Sequence, residues 1–214
     1  MGHAVSHLAW GSIDVDTTLG RVFFQQDWRY SWEFEAPKTA WTYPEQLAFH
    51  TKVDRQIWSA WSYRVTLGVS GNHWMVTRFG RSGLPINFDV RWRTANQTTQ
   101  WSIRAVKTQR TIDQGARSQV LFLDRECDLY ANDTDPRGAG NDAGAVRYNF
   151  LTPPHEFGHM LGLPDEYNAG SAALSDTDSI MNIGRYLRGR HMVEVLRELE
   201  RMFPGCAFSV KSVR

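Results

Sequence analysis

The sequence predicts an α+β fold, on three observations. Apolar residues recur every three or four positions in two segments and alternate with polar ones in two others. A pair of histidines four residues apart also lies between residues that start and stop a helix.

In chain order, residues 21–35, RVFFQQDWRYSWEFE, are aromatic and partly alternating, which predicts one or two strands closed off by Pro37. Residues 1–40 as a whole read as an N-terminal β extension. Thr42-Tyr43-Pro44-Glu45 is a capping box with proline in the first turn, and Phe49, Val53, Ile57 and Trp61 then recur every four residues. This predicts an amphipathic helix over roughly 43–62, in which His50 reads as a core or boundary histidine and not as a ligand.

Between 72 and 124 the period becomes two. Phe88, Val90 and Trp92 alternate with Asn87, Asp89, Arg91 and Arg93, and Trp101, Ile103 and Ala105 do the same after the polar TANQTT. These runs predict a hairpin. The short apolar run QVLFLD at 119–124 predicts a strand covered on both faces. Residues 125–149 are rich in Gly, Asp and Asn and read as a mobile loop beside the active site. Asp128, Asp133, Asp135 and Asp142 within it lack the spacing of a helix–loop–helix calcium site. The last helix is predicted over 190–203, with Met192, Leu196, Leu199 and Phe203 on one face and Glu194, Arg197, Glu198 and Arg201 on the other, before Pro204-Gly205 ends it.

A chain of 214 residues with 42% hydrophobic content can bury one sizeable core, so a single domain is expected. Its 24 basic and 23 acidic residues nearly cancel, which argues against nucleic acid or an anionic membrane as partner. No apolar run is long enough to span a membrane, and the first residues lack the pattern of a signal peptide, so a soluble chain is expected. Cys127 and Cys206 permit one disulfide but no zinc cluster by themselves, and the nine tryptophans read mainly as core rings.

The chemistry concentrates in HEFGHMLGLPDEY, residues 155–167. On a helix His155 and His159 project from one face, so a single zinc ion can bind both. Glu156, pointing elsewhere, can reach a water on that metal as a general base. Thr152 is a good N-cap, and Pro153 and Pro154 fit only a first turn. Gly162 falls where the helix should stop and Pro164 forbids its continuation. The returning chain then brings Asp165 to the position of a third ligand. Glu166, one residue on, and His191 or Glu194 from the last helix are the rival third ligands.

The pattern HExxHxxGxx followed by a third ligand resembles the zinc signature of the metzincin peptidases, and Gly-Leu-Pro-Asp-x-Tyr is similar to the snapalysin-like branch, whose third ligand is aspartate. Ser179-Ile180-Met181-Asn182 resembles the Met-turn, whose methionine floors the metal site. The resemblance spans roughly residues 149–190. It implies a zincin-like α+β fold with a twisted mixed sheet packed on a backing helix, 43–62, an active-site helix and a C-terminal helix, 190–203. It divides the chain into an upper part, 43–152, and a lower part, 153–214, with a substrate-pairing edge strand within 87–124. The tyrosine that follows the Met-turn in that family is replaced here by Ile183-Gly184, which leaves Tyr167 and Tyr186 as candidates to stabilise the transition state.

The expected function is therefore a Zn2+-dependent endopeptidase: His155, His159 and Asp165 as metal ligands, Glu156 as general base, Met181 beneath the metal, and a protein or cell-wall-linked peptide as substrate. With no leader visible and a front half that resembles nothing, the reading extends to a monomeric toxin or effector. Such a protein would be delivered outside the producing cell, with a cognate immunity or inhibitor protein as partner, and an ordinary secreted peptidase comes next. The alternative class is a binding or scaffolding module with a structural zinc. A purely structural site would have no use for Glu156 and would more often close its shell with cysteine.

Overall fold

The computed structural model describes residues 2–94, 96–111, 114–134 and 151–214. The chain opens with an antiparallel meander, β1 (His3–Leu8), β2 (Gly11–Asp16) and β3 (Arg21–Phe34). β3 is 14 residues long and alternates as the sequence predicts, with Val22, Phe24, Gln26, Trp28 and Tyr30 buried on one face. α1 (Tyr43–Trp61) starts at the predicted capping box, where the Glu45 carboxylate accepts the Thr42 N–H at 2.8 Å. Its buried stripe is Phe49, Val53, Ile57 and Trp61. Burying a side chain such as Phe49, Val53 or Ile57 is worth about 1.5–3 kcal/mol, so this stripe, more than helix propensity, holds α1 against the sheet. His50 is a boundary residue, its ring 3.1 Å from the Tyr30 hydroxyl.

β4 (Val65–Gly71), α2 (Trp74–Phe79), β5 (Leu84–Trp92) and β6 (Trp101–Lys107) follow. The predicted hairpin between β5 and β6 does not form. Both run parallel to β3 on its two edges, β5 along Val22–Trp28 and β6 along Trp28–Phe34. The intervening loop crosses β3 at Asp27 and Trp28. Arg93 N–H donates to the Trp28 carbonyl at 2.8 Å and Gln100 N–H to the Asp27 carbonyl at 3.0 Å, while the Asp27 carboxylate binds the guanidinium groups of Arg91 and Arg93. Alternation reports that a segment is a strand and which face it buries. It does not report the partner, and a strand as long as β3 can pair with both.

β7 (Gln119–Leu121) and β8 (Glu126–Tyr130) form a hairpin at one end of the sheet, where β8 pairs with β6. Two expectations are corrected here. QVLFLD is not a strand covered on both faces: only three of its residues pair, Leu121 on this strand is exposed, and Leu123 is exposed in the turn that follows it. Residues 126–130, assigned to a loop, are the strand against which that edge is laid down. Asp128 is engaged by Arg104 at 2.6 Å as an ion-pair partner. Asp135 and Asp142, with the rest of 135–150, lie outside the described residues.

α3 (Thr152–Met160) carries the HExxH segment, and α4 (Val193–Met202), entered through a 3₁₀ turn over Gly189–Met192, is the last helix. Leu151 occupies the N-cap position predicted for Thr152, whose hydroxyl instead donates to Asp133 at 3.1 Å. On α4, Glu198 belongs to the buried side, hydrogen-bonded to Ser6 and paired with Arg201, and not to the solvent face. β9 (Cys206–Val213), unforeseen in the sequence, pairs antiparallel with β4 and closes the far end of the sheet.

The strand order is β7-β8-β6-β3-β5-β4-β9, with β2 on β3 and β1 on β2. Cys127 on β8 and Cys206 on β9 thus have four strands between them and are both free, so the disulfide that two cysteines permit does not form. Trp28, Trp61 and Trp101 are core rings as expected, whereas Trp58 and Trp74 are exposed. The fold is mixed α+β with a mixed sheet, and none of the described helices is long and apolar enough to cross a membrane.

Candidate metal centre

The site is assembled by the way α3 ends. Gly162 adopts φ +85°, a left-handed conformation that glycine accepts without a Cβ penalty. Gly162 N–H donates to the His159 carbonyl at 2.9 Å and Leu163 N–H to the Gly158 carbonyl at 3.1 Å. This is the double bond pattern that caps a helix and reverses the chain. The reversal carries Asp165 back over the helix, where its Oδ1 lies 3.1 Å from Nε2 of both His155 and His159.

These three donors, all within 4.8 Å of one another, form a group that could hold a metal ion. A tetrahedral zinc site with ligand distances of about 2.0–2.2 Å has edges of roughly 3.3–3.6 Å, so the two 3.1 Å separations from Asp165 need only a small expansion. The imidazoles are pre-oriented. Nδ1 of His155 donates to the Ile180 carbonyl and Nδ1 of His159 to the Leu163 carbonyl, both at 2.7 Å. A carbonyl can only accept, so each ring has a proton on Nδ1 and turns Nε2 toward Asp165, the atom that could bind a metal in place of a proton.

Electrostatics follow from burial and from this convergence. Burial alone would raise the pKa of Asp165, but hydrogen bonds from both histidines reverse that and hold its carboxyl well below the usual carboxylate range. Burial opposes a proton on His159, yet Asp165 and Glu156 outweigh it and its pKa stands above the ordinary histidine value. Glu156 lines the same cleft while almost wholly buried, and that burial pushes its pKa up against the pull of the two histidines.

The turn at 179–182 braces the site from below. Ile180 supplies the carbonyl for His155, and the Met181 carbonyl accepts the N–H of Glu166 at 2.8 Å, fixing the residue after Asp165. Met181 is fully buried, and its sulfur packs so closely on α3 that a Cβ at Gly158 would overlap it. Asn182 Nδ2 donates to the carbonyls of Ala173 and Leu174, closing the polar loop before the turn.

The rival ligands point elsewhere. Glu166 forms a fork with Arg190 at 2.6 and 2.8 Å and lies 3.2 Å from Nε2 of His191. His191 is buried, which lowers its pKa to about 4, and it accepts the Arg188 N–H through Nδ1. Glu194 pairs with Arg197. Of the two tyrosines, Tyr167 stacks on His155 with ring centroids 6.1 Å apart and planes at 11°, and lines the cleft. Burial, and then its hydrogen bond to Asp165, raise the Tyr167 pKa far above the ordinary phenol value, so the hydroxyl keeps its proton. Tyr186 is corrected as a site residue: its exposed ring lines a separate groove with Pro154, Ile180 and Leu187.

The cleft, about 540 Å3, lies between the 117–122 segment and the 162–167 segment. Two of its supports carry no signal in the sequence. Asp133, assigned to a loop, is buried and accepts both the Ser118 N–H and the Thr152 hydroxyl, tying the β7 wall to the start of α3. Arg117 donates to the Tyr167 hydroxyl at 3.0 Å. Neither residue has a spacing or periodicity that marks it, because each acts across the fold. Comparison of the chain with protein-family models, with curated proteins and with solved structures gives no match.

Proposed function

We propose that the chain is a zinc-dependent endopeptidase of metzincin type. The observation that carries the reading is the convergence of His155, His159 and Asp165 on one point, with Glu156 in the same cleft but outside the ligand triangle. A structural site would need the triangle alone, whereas a hydrolase needs a base beside it. Bound there, zinc would supply Lewis acidity toward a peptide carbonyl and lower the pKa of a water to about 7.

The chain's own groups supply the rest. Glu156 takes the proton from the attacking water and returns it to the departing amine, and its burial keeps bulk water from competing for that proton. Tyr167, protonated and oriented by its stack on His155, is the donor to the oxygen on which charge develops, its single O–H turning from Asp165 to that oxygen. β7 has one strand partner, β8, among the described residues, so its other edge is available to pair with an extended peptide laid along the cleft. In this reading α1 backs the site, Met181 is its floor, and the cleft separates the upper part, 43–152, from the lower, 153–214.

The test is a comparison of wild type with Glu156→Ala for zinc content and for cleavage of casein. The variant should keep stoichiometric zinc and lose at least about 10²–10⁴-fold in rate, the usual worth of a positioned base. Full activity in the variant would sink the mechanism, and absence of zinc from both proteins would sink the metal.

A further inference from the structure

The cleft is chemically asymmetric along its length. At one end the Phe122 ring faces Gly162, close enough that a Cβ on that glycine would stand 3.7 Å from it. Val120, Leu163 and Pro164 continue this apolar lining. At the other end Arg117 faces Tyr167. Among the described residues that line the cleft, Arg117 is the only lysine or arginine.

Arg117 differs from the other cations described above. Arg91 and Arg93 are paired with Asp27, Arg104 with Asp128, Arg188 with Asp176 and Arg190 with Glu166, whereas Arg117 has no carboxylate partner among the described residues. Its one hydrogen bond here uses a single N–H, to a neutral phenol that itself bonds to Asp165. A guanidinium carries five N–H donors, and this bond uses one of them on a side chain that lines the cleft. The side chain is exposed but its base is fixed: Ala116 and Ser118 on either side are buried, and Ser118 is anchored to Asp133 and, through its hydroxyl, to the Tyr130 N–H. A rigidly based fork with no carboxylate partner among the described residues, at the end of a cleft, suits a planar anion that it can bind through two parallel hydrogen bonds.

We infer that Arg117 is a specificity residue that binds a carboxylate of the peptide, either the side chain of an aspartate or glutamate or a free C-terminal carboxylate. This rests on the peptidase reading and names the substrate class for it. The net charge of the site agrees. A divalent zinc ion would be balanced by Asp165 and Glu156, leaving the Arg117 charge to be met by the substrate. The competing role, in which Arg117 merely orients Tyr167, makes no distinction between charged and neutral peptides.

The test uses zinc-loaded protein and blocked, amidated decapeptides with one glutamate, the same peptides with glutamine or lysine in its place, and glutamine peptides with a free C-terminus. Wild type should cleave either the glutamate peptides or the free-terminus peptides about tenfold better in kcat/KM than the blocked glutamine set, the worth of one partly screened charge-assisted hydrogen bond. Whichever set wins identifies the source of the carboxylate. Arg117→Gln should abolish the ratio, and Arg117→Glu should reverse it in favour of lysine, which no orienting role would produce. Calorimetric binding of the same peptides to zinc-loaded Glu156→Ala reads the preference without turnover. If no peptide is cut by wild type yet Arg117-dependent binding of carboxylate persists, the peptidase reading fails and the carboxylate site stands. If wild type and Arg117→Gln show equal ratios, or no peptide is bound or cut, the assignment of Arg117 is overturned.

Discussion

In the proposed zinc site, His159 is the residue on which the metal would most clearly depend. Its Nε2 is held toward Asp165 by the Leu163 carbonyl behind the ring, and His155 and Asp165 alone would offer two ligands where zinc requires at least three. His159→Ala should therefore purify without stoichiometric zinc and without activity, measured by metal analysis of the dialysed protein. Retained zinc would refute the ligand set. The aspartate was separable from its neighbour only by geometry. Asp165 and Glu166 are adjacent and chemically alike, and what divides them is that Arg190 and His191 claim Glu166 on the far side of the chain.

Among the elements, α3 and the turn below it act as a unit. Glycine within a helix costs about 0.8–1 kcal/mol relative to alanine, so Gly158→Ala would ordinarily stabilise. Here the added methyl would meet the Met181 sulfur and stand 3.3 Å from the Trp61 ring, in a fully buried position. Overpacking of this kind costs about 1–3 kcal/mol, so Gly158→Ala should lower both the melting temperature and the zinc affinity. Met181→Leu, nearly isosteric, should keep zinc and much of the activity. A melting temperature for Gly158→Ala at or above wild type would show that Met181 does not press on the helix.

Across the whole molecule, zinc would join a helix to the loop that returns over it, and its binding would favour the folded state alone. At a thousandfold excess over Kd such a ligand adds about 4 kcal/mol, and in a chain of this size each kcal/mol moves Tm by about 2–4 °C. The gain should depend on pH in a definite sense. Burial disfavours the His159 proton, but Asp165 and Glu156 raise its pKa above the ordinary value, so a proton competes with zinc in the metal-free protein. The rise in Tm on adding zinc should grow as pH increases through the histidine range and shrink below it. A shift independent of pH would exclude His159 as a ligand.

Local pattern was enough for the sequence by itself to indicate α1, the strand character of β3, the stop of α3 and the placing of His155 and His159 one turn apart on that helix. Capping boxes, four-residue stripes and a glycine at a helix stop act between residues a few positions apart, and the energies that specify them are written within that span. The tertiary structure alone decided that β5 and β6 flank β3 and do not pair with each other, that β9 closes the sheet, that the cysteines stand at opposite ends, and that Tyr167 and not Tyr186 enters the cleft. It also decided the placing of Arg117 and Asp133. Strand partners, sheet edges and the neighbours of a buried carboxylate are set by contacts between residues far apart in the chain, and alternation is the same whichever partner a strand finds.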